Sequence, residues 1–301
     1  MITKGESLME KSYDFYAKIN KGWSNDDKYH VKKKGKDYLL RISPVELLPV
    51  VKRLADITRI LEGLGVPISK PVEITENDNC IHVLYPWVQG VDMIDVISNY
   101  SKKDQYEYGT DAGVYLKSIH TIKAPDSIEP WDLRFNRKID RNINNYRQSI
   151  LDIPETKLFI DYLDANRGLL KNRPQCFQHG DYHIGNFMID DNHKLVIIDF
   201  DRYDFGDPWE EFNRIVWSAA NSPAFASGII DGYFDYNVPE EFWRLLLLYI
   251  ASNTMSSLTW ALKLNEKELE VMINQMHDIL NWYDNFTCII PKWYGTKKYI
   301  D

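Results

Sequence analysis

The residues best suited to chemistry concentrate between positions 178 and 208. His179-Gly-Asp181-Tyr-His183-Ile-Gly185-Asn186 is followed, thirteen residues after the asparagine, by Asp199, which the apolar run Leu195–Ile198 delivers. Phosphoryl transfer to a hydroxyl needs these types. A carboxylate must orient the acceptor hydroxyl and take its proton, a role that suits Asp181. A Mg²⁺ ion bridging the phosphates needs hard oxygen ligands, which the Asn186 amide and the Asp199 carboxylate supply. The loop, the Asp-to-Asn interval, the apolar strand and the closing Asp occur in order, which favours this reading over a chance polar hairpin. His179 reads as a group bonding the loop backbone rather than as a base, and His183 as loop scaffolding. No Gly-x-x-x-x-Gly-Lys-Ser/Thr run occurs, which excludes a P-loop enzyme.

Elements on both sides must position these residues. Tyr29–Ile42 reads as a hairpin turning at Lys32–Gly35, with Tyr38, Leu40 and Ile42 on one face at period two. Leu47, Val51, Leu54, Ile57 and Leu61 recur at helical spacing over 45–64, and Gly63, Gly65 and Pro67 end that helix. Val72–Ile74 and Ile81–Leu84 read as two further strands. Beyond Gly90 the pattern turns helical: an amphipathic helix over Asp104–Ile122, a helical pair over 136–171, a strand-rich island at 176–200, and helices again over 208–286. The expected class is α+β. Residues 1–85 form a small antiparallel-sheet lobe, 86–90 a hinge, and 91–301 a large, mostly helical lobe holding the catalytic loop.

Composition narrows the function. With 301 residues, 44% hydrophobic and 27% charged, the chain reads as globular. Its longest uncharged apolar stretch, Leu245–Ala251, is far short of the ~20 residues of a membrane span, so no membrane role is expected. The three scattered cysteines fit neither a disulfide frame nor a zinc site, and no export signal is seen at the start, so a cytoplasmic setting is expected. Residues 1–85 hold 14 Lys+Arg against 12 Asp+Glu, a net of +2, which leaves −10 for residues 86–301. That bias disfavours nucleic acid. It suits a cationic ligand, or simply solubility.

The loop residues, together with Ile198-Asp199-Phe200-Asp201 and Gly206-Asp207-Pro208, resemble the aminoglycoside phosphotransferase and choline kinase superfamily. The likeness extends to Tyr38-Leu-Leu-Arg-Ile42, Gly65-Val-Pro67, Trp87-Val-Gln-Gly90 and the helix end Leu116–His120. It implies a protein-kinase-like, two-lobed fold and a kinase that moves the γ-phosphoryl of ATP or GTP, with Mg²⁺, to a hydroxyl of an aminoglycoside-like, cationic acceptor. The resemblance also implies that the purine meets Tyr85–Val88. There the Pro86 carbonyl accepts, the Val88 N–H donates, and Tyr85 guards the back of the pocket, as in members that accept GTP. Ser24, in Gly22-Trp-Ser24-Asn25, falls where a phosphate-covering turn belongs.

Two departures stand out. Arg41 occupies the strand position where the family carries Lys, and the usual helix Glu partner falls near Leu54, which cannot pair; Asp56 or Glu46 are the substitutes. Arg41 either grips phosphate or points to solvent. Among acceptor-side residues the candidates are Glu210, Trp217, Asp231 and Trp260, with Glu211 read as structural. The alternatives are a choline-kinase-like or sugar-kinase-like enzyme, and a nucleotide-binding protein without catalysis.

Overall fold

The structure, a computed structural model, describes residues 13–20, 26–77, 79–295 and Tyr299. The chain groups into two compact units, Met1–Val91 with Met188–Ile198, and Asp92–Phe187 with Asp199–Asp301.

In the first unit, period-two alternation builds a five-stranded sheet. Its strands are β1 (Phe15–Ile19), β2 (Asp27–Lys33), β3 (Lys36–Pro44), β4 (Glu73–Asn77) and β5 (Cys80–Pro86). The order is β1-β2-β3-β5-β4, and every neighbouring pair is antiparallel. Val31, Leu40 and Leu84 form a core cluster, with Tyr16, Tyr29, Tyr38 and Ile42 packed on it. Helix α1 (Leu48–Gly63) buries Leu54, Ile57 and Leu61, the face its spacing dictates. A second sheet has the order β6 (Gly90–Asp92), β8 (Phe187–Asp190), β9 (Leu195–Ile197). The β8–β9 hairpin is stitched to earlier chain by Asp191 N–H to the Gln89 carbonyl (3.1 Å) and Ile197 N–H to the Pro67 carbonyl (2.8 Å).

The second unit is helical: α2 (Met93–Val96), α3 (Lys102–Ile119), α4 (Trp131–Arg147), α5 (Thr156–Asn166), α6 (Ile215–Asn221), α7 (Pro223–Tyr233), α8 (Glu240–Leu264) and α9 (Glu266–Trp282). Every residue from Leu245 to Ala251 is buried, and α8 packs against α4, α5 and α9. By length and composition α8 alone among the described helices could cross a membrane. Yet 72% of its most apolar window is buried inside the protein, as in the central helix of a core. The tightest packing joins α3 and α7. Gly109 and Gly113 face Gly228 and Gly232, and a Cβ on any of the four would lie within 2.2 Å of a backbone carbonyl oxygen of the opposite helix. Two short strands, β7 (Cys176–Gln178) and β10 (Asp204–Gly206), pair antiparallel and bracket the chemistry-bearing segment.

Candidate active site

The loop between β7 and β8 is held almost entirely by its own backbone and by the helices under it. Gly180 has φ +86°, and a Cβ there would meet the Arg202 carbonyl oxygen at 1.9 Å, so the turn requires glycine. Its N–H donates to both carboxylate oxygens of buried Glu211, at 2.9 and 3.2 Å. His179 is fully buried and packs on Phe200, and its Nδ1 accepts the Asp181 N–H at 3.2 Å. The Tyr182 hydroxyl donates to the Ala112 carbonyl of α3 (2.6 Å), and the Ile184 N–H donates to Ser218 Oγ of α6 (3.0 Å). His179 and Glu211 therefore serve the loop's shape.

That shape presents the Asp181 carboxylate to three basic groups. Oδ1 lies 3.3 Å from Arg214 Nε and 3.6 Å from His183 Nε2, and Oδ2 lies 3.8 Å from Arg202 Nη1. His183 Nδ1 accepts the Gly185 N–H at 3.1 Å, so the proton of a neutral ring sits on Nε2, toward Asp181. Burial pushes the Asp181 carboxyl up, but His183 and then Arg214 and Arg202 outweigh it and hold the group well below the usual carboxylate range. Asp181 is ionised and able to accept a proton.

Asn186 immediately precedes β8 and Asp199 stands two residues after β9, so the hairpin returns both to its open end. The Asn186 amide nitrogen donates to the Asp181 carbonyl at 2.7 Å, which fixes the orientation of the amide. Asp199 takes a left-handed backbone conformation, φ 64° and ψ 62°. Among the described residues no group of three or more His, Cys, Asp or Glu could hold a metal. One amide and one carboxylate oxygen nonetheless fit Mg²⁺, which keeps waters and substrate phosphates in its remaining positions.

In the first unit, Arg41 is buried on the central strand β3 and grips Asp26 through Nε (3.2 Å) and Nη2 (2.6 Å). This removes the solvent-pointing reading and corrects the two expected substitutes for the missing Glu partner: Asp56 pairs with Arg59, and Glu46 is exposed. Backbone bonds on β5 alternate, with the Leu84 carbonyl bonded toward β4 by the Val72 N–H (2.8 Å) and the Trp87 N–H bonded to the Asp37 carbonyl on the β3 side (3.2 Å). The Pro86 carbonyl therefore faces the β4 side, beyond the last paired residue of β4. The Val88 N–H has no hydrogen-bond acceptor among the described residues. Tyr85 is half-buried on β5. Ser24 lies outside the described residues.

A cavity of about 440 Å³ opens in the second unit against Gly180, Arg202 and Arg214. Of the four acceptor-side candidates only Glu210 lines it, and Glu210 already accepts from Lys138 (2.9 Å) and Gln178 (3.2 Å). The other three do not line it. Asp231 is buried and accepts the hydroxyls of Tyr106 (2.6 Å) and Tyr294 (2.5 Å), which makes it a core anchor. Trp217 on α6 and Trp260 on α8 are not part of the lining. Sequence reasoning missed Arg202 and Arg214, whose link to Asp181 is a matter of tertiary placement.

The family model described as the phosphotransferase enzyme family matches residues 16–242. A search among curated proteins finds no match. A thermostable mutant of aminoglycoside phosphotransferase APH(4)-Ia, in ternary complex with AMP-PNP and hygromycin B, superposes with TM-score 0.69 at 16% identity, covering 95% of this chain and 99% of that one. ADP-bound aminoglycoside phosphotransferase APH(2'')-Ib gives 0.63 at 16% identity, covering 92% and 95%. Spectinomycin phosphotransferase APH(9)-Ia, in complex with ADP and spectinomycin, gives 0.58 at 17% identity, covering 94% of both chains. At such identities these structures speak to the fold, which is the kinase-like α+β fold of the aminoglycoside phosphotransferases. The family match spans Arg41, the Asp181 loop and both ends of the hairpin, and the chain belongs to the phosphotransferase enzyme family, whose members transfer phosphoryl groups to hydroxyl acceptors.

Proposed function

We propose that the protein is a Mg²⁺-dependent kinase that transfers the γ-phosphoryl of ATP or GTP to a hydroxyl of a small molecule. One observation carries this: an ionised Asp181 sits on a loop whose backbone carbonyl also fixes the Asn186 amide, with Asp199 at the same end of the hairpin. Asp181 orients the acceptor hydroxyl and receives its proton as the acceptor oxygen bonds to the γ-phosphorus. The bond from that phosphorus to the β,γ-bridging oxygen breaks, and the nucleoside diphosphate leaves with its electron pair. The strongly lowered pKa makes Asp181 a weak base, so orienting the hydroxyl outweighs early proton removal. Asn186 and Asp199 would hold Mg²⁺, which neutralises phosphate charge when bound. Pro86 and Val88 offer the base an acceptor and a donor, Tyr85 borders it, and Arg41 gives the phosphates a cation. Similar structures hold hygromycin B or spectinomycin, which supports a small hydroxylated acceptor.

The test measures Mg²⁺-dependent nucleotide turnover, with water as the acceptor in the absence of a known one. Asp181→Asn should lower turnover by about two orders of magnitude while nucleotide affinity is retained. Asp199→Ala should remove the tightening of nucleotide binding by Mg²⁺. Wild-type turnover in Asp181→Asn, or unchanged Mg²⁺ dependence in Asp199→Ala, refutes the assigned roles.

A further inference from the structure

Helix α4 carries Arg134, Arg137, Lys138 and Arg141, spaced i, i+3, i+4, i+7, so all four share one helix face despite their mutual repulsion. That face lines the cavity beside Asp181, and Arg202 and Arg214 line it as well. The lining carboxylates are Asp204 and Glu210, so six cationic groups face two anionic ones. Adding Asp181 and Glu129, which pair with lining residues, still leaves a positive surplus of two. This local sign opposes the net −10 of residues 86–301 and the cationic ligand it suggested.

The pairings divide the cavity into two ends. Arg202 and Arg214 hold Asp181 and mark the reacting end. Arg134 is occupied by Asp204 at 3.0 Å and by the Phe205 carbonyl at 2.6 Å, Lys138 by Glu210 at 2.9 Å, and Arg137 by Glu129. Arg141 is exposed and has no hydrogen bond or ion pair among the described residues. A polyamine entering here would meet like charge. A phosphate or carboxylate would find an uncommitted guanidinium, with two more cations on the same helix face.

We propose that the acceptor is anionic: a hydroxylated small molecule whose phosphate or carboxylate is held by Arg141 with Arg137 and Lys138, while its hydroxyl faces Asp181. This rests on the kinase reading above and adds the charge class of the substrate; the transfer step is the one already written.

The test uses the full chain with Mg²⁺. Binding is titrated with AMP-PNP present, and turnover is read as nucleoside diphosphate release from ATP and GTP. The probes are ribose 5-phosphate and glucose 6-phosphate for the phosphate arm, gluconate for the carboxylate arm, ribose and glucose as neutral parents, and gentamicin and hygromycin B as polycations. At least one anionic probe should bind about tenfold or more tighter than its neutral parent and stimulate release. Arg141→Glu should weaken that probe about tenfold, leaving the neutral parent and the melting temperature unchanged. The proposal is overturned if no anionic probe outbinds its parent, if Arg141→Glu leaves anion binding intact, or if only the polycations bind and stimulate release. The last outcome leaves the kinase reading standing. Arg141-dependent anion binding in an enzyme that turns over no nucleotide supports the anion site and sinks the kinase reading instead.

Discussion

A carboxylate set between two guanidiniums and an imidazole stays charged at acidities where a free aspartate is protonated. For Asp181 the fold favours the deprotonated form. Its contribution to stability is therefore complete above the ordinary aspartate pKa near ~4 and is lost as pH falls below that toward the depressed folded value. Arg214→Gln removes part of the opposing charge, so the Asp181 pKa rises and the acid limb of the pH–kcat/KM profile should move to higher pH. An unmoved limb in that variant would mean that Arg214 does not set this ionisation. Arg41 and Asp26 form a second such pair, with side chains 8% and 14% exposed. Arg41→Met leaves Asp26 uncompensated, and should cost about 3 kcal/mol of stability and raise the nucleotide KM; Arg41→Lys should recover part of both. Thermal unfolding with steady-state kinetics checks this, and wild-type values in Arg41→Met would remove Arg41 from the site. The loop-and-hairpin arrangement that carries Asp181, Asn186 and Asp199 was legible in the sequence because it is local. The burial of Asp231 was not, because which face of a helix meets solvent is decided by what packs on it.

The loop that carries Asp181 is fastened to α3 and α6 through the Tyr182 hydroxyl and the Ile184 N–H, so the α3–α7 crossing bears on the placement of Asp181 as well as on stability. At this crossing the obstacle to a side chain is opposing backbone, which cannot rotate away. Gly113→Ala would set a methyl 2.2 Å from the Ile229 carbonyl oxygen, and Gly228→Ala one at the same distance from the Tyr106 carbonyl oxygen. Each should destabilise the protein by about 3 kcal/mol or more. Gly168→Ala, where nothing lies within 4 Å of the added carbon, should stay within about 0.5 kcal/mol. Equal denaturation midpoints for the three variants would contradict a backbone-to-backbone contact. The amphipathic pattern over Asp104–Ile122 gave away helix α3, but its glycines carry no hydrophobic signal. Strand β1 escaped notice for a related reason: its five residues are half-buried or exposed, so its membership of the sheet rests on pairing with β2. The cationic face of α4 was present as helical periodicity in Arg and Lys, a pattern that a search for apolar periodicity passes over.

At the scale of the molecule, the change from strands to helices near residue 90 showed in the sequence, whereas the grouping of Met188–Ile198 with the first unit did not. That grouping comes from bonds such as Ile197 to Pro67, between segments far apart in the chain. Charge, too, differs between scales. The whole chain carries −8 while the cavity beside Asp181 is lined by cations. An anion far from the surface therefore feels repulsion, and one within a few ångströms of Arg141 feels attraction. Dissolved salt acts first on the longer range, because the screening length is ~30 Å at 0.01 M, ~8 Å at physiological strength and ~3 Å at 1 M. For an anionic acceptor, kcat/KM should accordingly rise as salt is first added, pass through a maximum, and fall once the close contacts are screened. A stopped-flow or steady-state series in potassium chloride reads this directly. A purely falling curve would mean that the cavity's field dominates at every distance, and a purely rising one that no cationic capture occurs. The enzyme would then be tuned to the ionic strength around it, admitting its substrate fastest in a window where distant charges are silenced and near ones still speak.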